Sequence, residues 1–158
     1  CDLSAYTPDI ISSAANLAEN TKAELILVNV VNQRDIDAIQ GAFRRISLGE
    51  DTLSAAGYIG EIREERIKTL REIIRQCNCE HLRKRIVFRI GVPFEELIKV
   101  AEHESVDIAV MGTRGRGNIA GALFGSTAEK MFRLCPVPLL SIRLKKDVNQ
   151  KGAATRET

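Results

Sequence analysis

The chain has 158 residues, of which 44% are hydrophobic and 28% charged, and its formal net charge is only +2. This length and apolar content suffice for a single domain with a sizeable core, whereas the small net charge and the scarcity of aromatic residues argue against a nucleic-acid-binding surface. No apolar run approaches the length of a membrane span and no secretory signal is visible, so we expect a cytoplasmic protein with no membrane insertion.

The four cysteines and two histidines show no spacing typical of a metal site. Cys77 and Cys79 are separated by one residue, but no second pair follows them. His81 and His103 lie in charged surroundings without a partner at ligand spacing. No nucleophile and base are evident together, so we predict no catalytic and no metal-ligating side chains.

The first residues, Cys1-Asp2-Leu3-Ser4, are typical of a strand end that runs into a loop, yet the apolar residues that would build that strand are absent. A sheet without this strand would carry unpaired backbone groups on both sides of the gap. We therefore expect the natural protein to have a short N-terminal segment that this sequence lacks, or one that is missing from the numbering.

The first half of the chain predicts a helix, a buried strand and an irregular stretch. Thr7-Pro8-Asp9 has the cap, proline and carboxylate of a helix start, and Leu25 to Val31 is an almost unbroken apolar strand. Residues 32–60 show no clean period and contain four glycines, so we expect an irregular excursion with a short helix near residues 36–43. This excursion is either a lid over a site or a variable surface insertion.

The second half alternates helices with strands. The predicted elements are a helix over residues 61–76, an edge strand over 85–90, a helix opened by Pro93, a buried strand over 107–111, a helix over 126–134 and a strand over 139–143. This alternation predicts a doubly wound parallel sheet with helices on both faces, in one domain over residues 1–143. Residues 144–158 are mostly polar and charged, and we expect them to form a disordered tail.

A glycine-rich segment follows the buried strand. Glycines stand at positions 112, 115, 117, 121 and 125, where the missing Cβ permits unusual backbone conformations and close approach of N–H groups to an anion. Ser126 and Glu129 have the spacing of a capping box, which would place a positive helix end beside the segment. The pattern predicts a phosphate-binding loop; the plainer alternative is a long surface loop with glycines at its turns.

Two commoner phosphate motifs fit this segment poorly. Gly112 to Gly117 has the glycine spacing of a P-loop, but Asn118 stands where the lysine would be. Residues 115–120 match the dinucleotide fingerprint, but that fingerprint belongs to the first strand-helix turn of a fold and needs an acidic residue after the next strand. Only one more strand follows here, and it ends in Arg143.

The spacing that does fit is Gly112, two residues, Gly115, nine residues, Gly125 and Ser126. With Asp2-Leu3-Ser4 near the start, Asn29-Val30 at a strand end and Gly91-Val92-Pro93 before a helix, the chain resembles the universal stress protein family, in the subgroup whose G-x2-G-x9-G-[ST] signature marks ATP binding. The resemblance implies a five-stranded parallel sheet in the order 3-2-1-4-5, of the Rossmann-like, adenine nucleotide alpha hydrolase-like kind, with ligands bound where the order reverses.

The resemblance also implies a set of nucleotide contacts. Asp2 and the main chain of Val30 would meet the adenine, Val92 and Pro93 would lie near the nucleoside, Met111, Gly112 and Gly115 would line the ribose and phosphates, and Gly125, Ser126 and Thr127 would hold the phosphates. Arg114 and Arg116 are added from their charge alone. In the structural alternative, Asp2 caps a turn, Val30 belongs to the core and Ser126 only caps its helix.

The resemblance implies an ATP-binding protein, with Mg²⁺ or Mn²⁺ accompanying the nucleotide, that acts as a regulatory module in the response to stress. The loop itself has no carboxylate that would position a water or a metal for hydrolysis, so little or no catalysis is expected. Two alternatives remain open: a slow ATP hydrolase or phosphotransferase, and a protein-interaction module that binds no nucleotide. Members of the resembled family commonly pair through the last strand, so Val137 to Ile142 is the expected homodimer edge.

Overall fold

Helices and strands alternate through the computed structural model of the protein, which describes residues 1–46, 55–115 and 124–143. In chain order the elements are α1 (Thr7–Thr21), β1 (Leu25–Asn32), α2 (Gln33–Ile46), α3 (Ala55–Gln76), β2 (Lys84–Gly91), α4 (Pro93–His103), β3 (Ala109–Gly112), α5 (Ser126–Leu134) and β4 (Leu139–Ile142). The predicted α/β class is therefore confirmed.

The strands form two parallel pairs. β1 pairs with β2 from Leu25↔Lys84 to Asn32↔Gly91, and β3 pairs with β4 from Ala109↔Leu139 to Gly112↔Ile142. Among the described residues no strand lies between the two pairs. The five-strand order 3-2-1-4-5 consequently stays a prediction, while both of its outer parallel pairs are present.

The core lies where α1 and α3 cover β1. Leu70 of α3 is fully buried, and it packs with Ile11 of α1 and Leu27 of β1, each 2% exposed. These side chains recur at helical spacing on α1 and α3 and at alternate positions on β1, as amphipathic helices on a sheet require. The connection from β1 through α3 to β2 and the connection from β2 through α4 to β3 run in opposite directions across the strands. Because such crossovers are right-handed, α4 lies on the opposite face from α3.

Two helices occupy much of the stretch that we expected to be irregular. α2 spans Gln33–Ile46 and α3 begins at Ala55 instead of residue 61. Ile36 is buried and Ile39 half-buried, so α2 does present an apolar face at helical spacing. The glycines misled the sequence interpretation: Gly41 and Gly60 lie inside these helices, where a Cβ would meet no neighbouring described atom within 4 Å, at the usual cost of about 1 kcal/mol each in helix propensity.

Of the remaining expectations from the sequence, one concerns residues outside the described part of the chain and one differs from the structure. The predicted disordered tail at residues 144–158 lies outside the described residues. Ile108, which we expected inside the sheet, is 41% exposed, and β3 starts only at Ala109. Within the described part of the chain, no helix is both long and apolar enough to cross a membrane.

An ion-pair network joins β2 to the segments that flank it at the amino ends of the strands. The Arg85 guanidinium donates to Glu104 at 2.6 Å and to Glu24 at 3.2 Å. The hydrogen bond from Arg85 holds the pKa of Glu104 below its usual value of 4.5, and the same bond raises the pKa of Arg85. Both groups stay charged at neutral pH, so this end of the fold is held together by opposite charges.

The lowered pKa of Glu104 predicts a pH-dependent contribution to stability. Because the unfolded carboxyl titrates at the higher, usual pKa, the stabilisation is complete above 4.5 and is lost as the pH falls through the lower folded value. We expect Glu104→Gln to lower the free energy of unfolding at about pH 7 and to have a smaller effect at about pH 3, below the usual value of 4.5. Urea unfolding at both pH values measures this.

The matched control is Glu102→Gln, an exposed glutamate on the same helix, whose effect should be small at both pH values. A destabilisation by Glu104→Gln that is equal at both pH values would contradict the assigned role of the ion pair.

Candidate functional site

A large cleft separates the two strand pairs. β1 and β3 form its sides, α1 lies over one face and α4 and α5 over the other, and its volume is about 1070 Å³. The cleft runs the whole length of the strands, from Glu24 and Asp107 at their amino ends to Gly115 and Ser126 at their carboxyl ends, so this volume is larger than any one ligand site within it. Ligands of parallel α/β folds bind beyond the carboxyl ends of the strands, so that end of the cleft is the candidate site.

The carboxyl end of β3 is tied to the start of α5. The Thr113 carbonyl accepts a hydrogen bond from the Gly125 N–H at 2.8 Å, and the Thr113 N–H donates to the Ile142 carbonyl at 3.1 Å. Thr113 is 8% exposed, so these bonds are shielded from water. They hold Gly125 and the first turn of α5 beside Gly115, whatever the intervening residues do.

The first turn of α5 faces the cleft without a side-chain cap. Its N-cap is Gly125, in an extended conformation with no side-chain cap bond, and Ser126 is the first helical residue. The predicted capping box of Ser126 and Glu129 is therefore wrong: the Glu129 N–H donates to the Gly125 carbonyl at 2.9 Å as an ordinary helix bond. The N–H groups of Ser126, Thr127 and Ala128 have no intrahelical acceptor, which leaves a positive helix end at the cleft.

The three glycines of the signature differ in what a side chain at their position would meet. A Cβ on Gly112 would come within 2.7 Å of the Ile10 side chain, and one on Gly115 would overlap the Asp2 carboxylate. At Gly125 the nearest atoms would be 3.8 Å away or more, at the Thr113 carbonyl and the Gly115 nitrogen. None of the three has a positive φ, so the unusual backbone conformations expected here are not needed. A side chain at Gly112 or Gly115 would have to displace Ile10 or Asp2, whereas one at Gly125 would make only ordinary contacts.

A turn at the start of the chain brings Asp2 to the same place. Its Oδ1 accepts hydrogen bonds from the Ser4 N–H at 3.0 Å and from the Thr7 hydroxyl at 3.4 Å, and its Oδ2 lies against Gly115. Thr7 is fully buried, and because the α1 N-cap is Tyr6, the Thr7 hydroxyl is available to Asp2. A carboxylate is thus positioned beside the glycine segment.

Ten of the twelve predicted site residues line the cleft: Asp2, Val30, Pro93, Met111, Gly112, Arg114, Gly115, Gly125, Ser126 and Thr127. Val92 is not among the lining residues; it is the N-cap of α4 and is 40% exposed. Arg116 lies outside the described residues. These ten residues lie in the first turn of the chain, at or just beyond the carboxyl ends of β1 and β3, and at the starts of α4 and α5, which is the end of the cleft where a ligand is expected.

Sequence reasoning missed the groups that hold the site in shape. The Thr113 carbonyl joins the two ends of the loop, and the Thr7 hydroxyl orients Asp2. A backbone carbonyl carries no sequence signal at all. Thr7 had one, but we expected Thr7 to be the N-cap of α1, which is wrong: Tyr6 is the N-cap, Thr7 is the first helical residue, and its hydroxyl donates to Asp2.

The described residues contain no group of three or more metal-binding side chains.

The comparisons with known proteins agree on one family. The sequence model of the universal stress protein family matches residues 1–143. Universal stress protein MJ0577 of Methanocaldococcus jannaschii is 25% identical over 156 residues, which cover 89% of this chain and 93% of that protein. The solved MJ0577 structure aligns with a TM-score of 0.74 at 22% identity, over 93% of this chain and 94% of the other.

A crystal structure of a universal stress protein in complex with cAMP has the same fold, with a TM-score of 0.60 and 18% identity over 90% of this chain and 91% of the other. A family match over residues 1–143, together with a parallel α/β fold shared with solved members, settles the relationship. The chain belongs to the universal stress protein family.

Proposed function

We propose that the protein binds ATP at the carboxyl end of the cleft and acts as a nucleotide-responsive regulatory module. The observation that carries the proposal is the uncapped N-terminus of α5, which is held beside Gly115 at the carboxyl end of the cleft. Free N–H groups and the helix dipole at such a position attract phosphate.

The triphosphate would lie along the first turn of α5. The N–H groups of Ser126 and Thr127 and the Ser126 hydroxyl supply donors, and Arg114 adds positive charge from the cleft wall. Gly125 would let the phosphates approach the backbone closely, because its own packing does not account for the missing Cβ. Arg116 is proposed as a second cationic contact from its sequence position.

The nucleoside would occupy the side of the cleft formed by β1 and the start of α4. The adenine is assigned to the backbone of Val30, and the ribose to Met111 and Gly112, with Pro93 nearby. These assignments come from the family signature, and the four residues all line the cleft. The signature also assigns Asp2 to the adenine, but because its carboxylate lies against Gly115 we assign Asp2 to the phosphate end instead. Val92 precedes Pro93 but does not line the cleft, so no direct contact is assigned to it.

A divalent cation, Mg²⁺ or Mn²⁺, fits this arrangement. Asp2 places a carboxylate beside Gly115, where an approaching phosphate would otherwise meet a like charge. A cation between the carboxylate and the phosphates removes that repulsion. The cation would neutralise the phosphates, and Asp2 would supply a protein ligand.

The choice of ATP over other anionic ligands rests on the G-x2-G-x9-G-S signature. It is supported by the universal stress protein solved with cAMP, whose ligand is an adenine nucleotide. We infer regulation in preference to catalysis because the described loop residues bring no carboxylate base beside a phosphate other than Asp2, which the cation would engage. Bound ATP would act through α2, which begins next to the cleft-lining residue Asn32, and through any subunit interface.

Gly125→Val tests the site directly. Gly125 has φ −77° and ψ 157°, which a valine can adopt, and its Cβ would make only ordinary contacts. The fold should therefore survive while the valine methyl groups fill the space proposed for phosphate. Calorimetric titration of nucleotide-free protein with ATP and Mg²⁺ should show saturable binding by the wild type and at least a roughly tenfold weaker affinity for the variant, about 1.4 kcal/mol.

The matched control is Gly60→Ala, on α3, where a Cβ meets nothing within 4 Å; it should bind ATP as the wild type does. No binding by the folded wild-type protein would contradict the proposal and favour an interaction module. A steady release of phosphate that Gly125→Val abolishes would favour a hydrolase. ADP and AMP titrations in the same series report how much of the affinity depends on the terminal phosphates.

We further propose a homodimer through the outer edge of β4. On its inner side β4 pairs with β3, and the register turns the N–H and C=O groups of Leu139 and Ser141 away from β3. Leu140 is 38% exposed, and on neighbouring α5 Phe132 is 70% and Leu134 54% exposed. An edge with outward hydrogen-bonding groups beside apolar side chains is suited to pairing with a second copy.

Ser141→Pro tests this interface, because proline removes the outward N–H without removing a bond to β3. We expect light scattering on an eluting column to give a dimer mass for the wild type and a monomer mass for the variant. Ser141→Thr keeps the N–H and should remain dimeric. A wild-type monomer, or a dimer that is unchanged by Ser141→Pro, would contradict this interface.

A further inference from the structure

Asn29 is a buried polar side chain in an otherwise apolar strand. It lies in the middle of β1 and is 1% exposed, and the residues at neighbouring buried positions of the strand are Leu27 and Val31. A buried amide is costly unless its hydrogen bonds are made. Apolar packing alone therefore does not explain an asparagine at this position.

The Asn29 side-chain amide lies between a hydrogen-bond acceptor and a hydrogen-bond donor. Its Nδ2 donates to the Cys1 carbonyl at 2.7 Å, and its Oδ1 faces the Arg66 guanidinium at 3.5 Å. A carbonyl accepts only and a guanidinium donates only, so this pair of partners allows one orientation of the amide. Arg66 reaches in from α3, so the helix behind the sheet helps to orient the amide.

The Cys1 carbonyl belongs to the turn that presents Asp2. The Cys1 nitrogen donates to the Val28 carbonyl at 2.8 Å, so both polar groups of Cys1 are bound to β1. Leu3, one residue beyond Asp2, has a left-handed φ of 60°, which an L-residue with a side chain adopts only when its surroundings hold it there. A turn with such a residue depends on its anchoring bonds.

We propose that Asn29 is a positioning residue for the nucleotide site: by binding the Cys1 carbonyl it fixes the turn that sets the Asp2 carboxylate against Gly115. The sequence of contacts runs from Arg66 to Asn29, from Asn29 to Cys1, and through the backbone to Asp2. This inference deepens the proposed function and rests on it for its effect on ATP, but the anchoring of the turn is independent of any ligand.

The test is a double-mutant cycle on ATP affinity in the presence of Mg²⁺. Asn29→Leu keeps the approximate shape of the side chain but removes its Nδ2 donor. Asp2→Asn removes the carboxylate. We expect each single variant to weaken ATP binding several-fold, and the double variant to be little weaker than Asp2→Asn alone, because Asn29 acts through Asp2. Additive losses would overturn the proposal.

Asn29→Asp provides a second variant if Asn29→Leu folds poorly. An ionised aspartate beside Arg66 keeps the shape and pairs with the guanidinium, but it cannot donate to the Cys1 carbonyl. It should lose ATP affinity to a similar extent. Val87→Ala, a buried truncation on β2, is the control for general destabilisation: it should lower stability and leave ATP affinity unchanged.

A ligand-independent measurement separates this inference from the proposed function. In hydrogen exchange of the protein without nucleotide, Asn29→Leu or Asn29→Asp should speed exchange of the Ser4 and Thr7 amides, which are bound within the turn, but not of the β1–β2 ladder. Faster exchange at these two amides with no ATP binding by the wild type would overturn the proposed function and leave the anchoring role standing. Unchanged exchange there would overturn the anchoring role.

Discussion

The hydrogen bond from the Gly125 N–H to the Thr113 carbonyl is the contact on which the candidate site depends. It closes the connection between the end of β3 and the start of α5 at 2.8 Å, and Thr113 is nearly buried. Without it, α5 would not be required to point its uncapped end at the cleft. With it, the free N–H groups of the first turn have a fixed position and direction before any ligand arrives, so binding would cost little reordering.

Opposite charges are arranged around that fixed helix end. Asp2 brings a carboxylate to Gly115 from the first turn of the chain, while Arg114 and the helix dipole bring positive charge from the other side. An anion entering this space would therefore be repelled by Asp2 and attracted by Arg114 and the helix end. In the proposed complex a divalent cation would change the balance in favour of binding, so the affinity for a polyphosphate would depend on the cation that accompanies it. The placement of Asp2 is then as important as the glycine loop itself.

Much of the fold could be predicted from periodicity, because buried faces of helices and strands impose it. α1, β1, the later part of α3, β2, α4 and α5 lie close to their predicted positions, since each has an apolar stripe of the right period. α2 and the first turns of α3 could not be predicted with the same rules: Gly41 and Gly60 are read as breakers, yet both sit in helices whose apolar neighbours decide the conformation.

The candidate site, too, could be predicted from the sequence only in part. The glycine spacing gives the positions that line the cleft, but the reasons behind the glycines are three-dimensional: Ile10 excludes a side chain at Gly112, and Asp2 excludes one at Gly115. The Ser126 cap was predicted from a local motif that the helix does not use, because Gly125 takes the N-cap position. Contacts between residues far apart in sequence, such as Asn29 with Cys1, have no local signal.

The central claim is that a nucleotide lies with its phosphates on the first turn of α5. The most direct measurement is a crystal structure of the protein with a non-hydrolysable ATP analogue and Mg²⁺. We expect phosphate oxygens within hydrogen-bond distance of the Ser126 and Thr127 N–H groups and beside Gly125, with the cation between them and Asp2. A nucleotide bound with its phosphates away from α5, or a fully formed site that stays empty at saturating analogue, would contradict the claim.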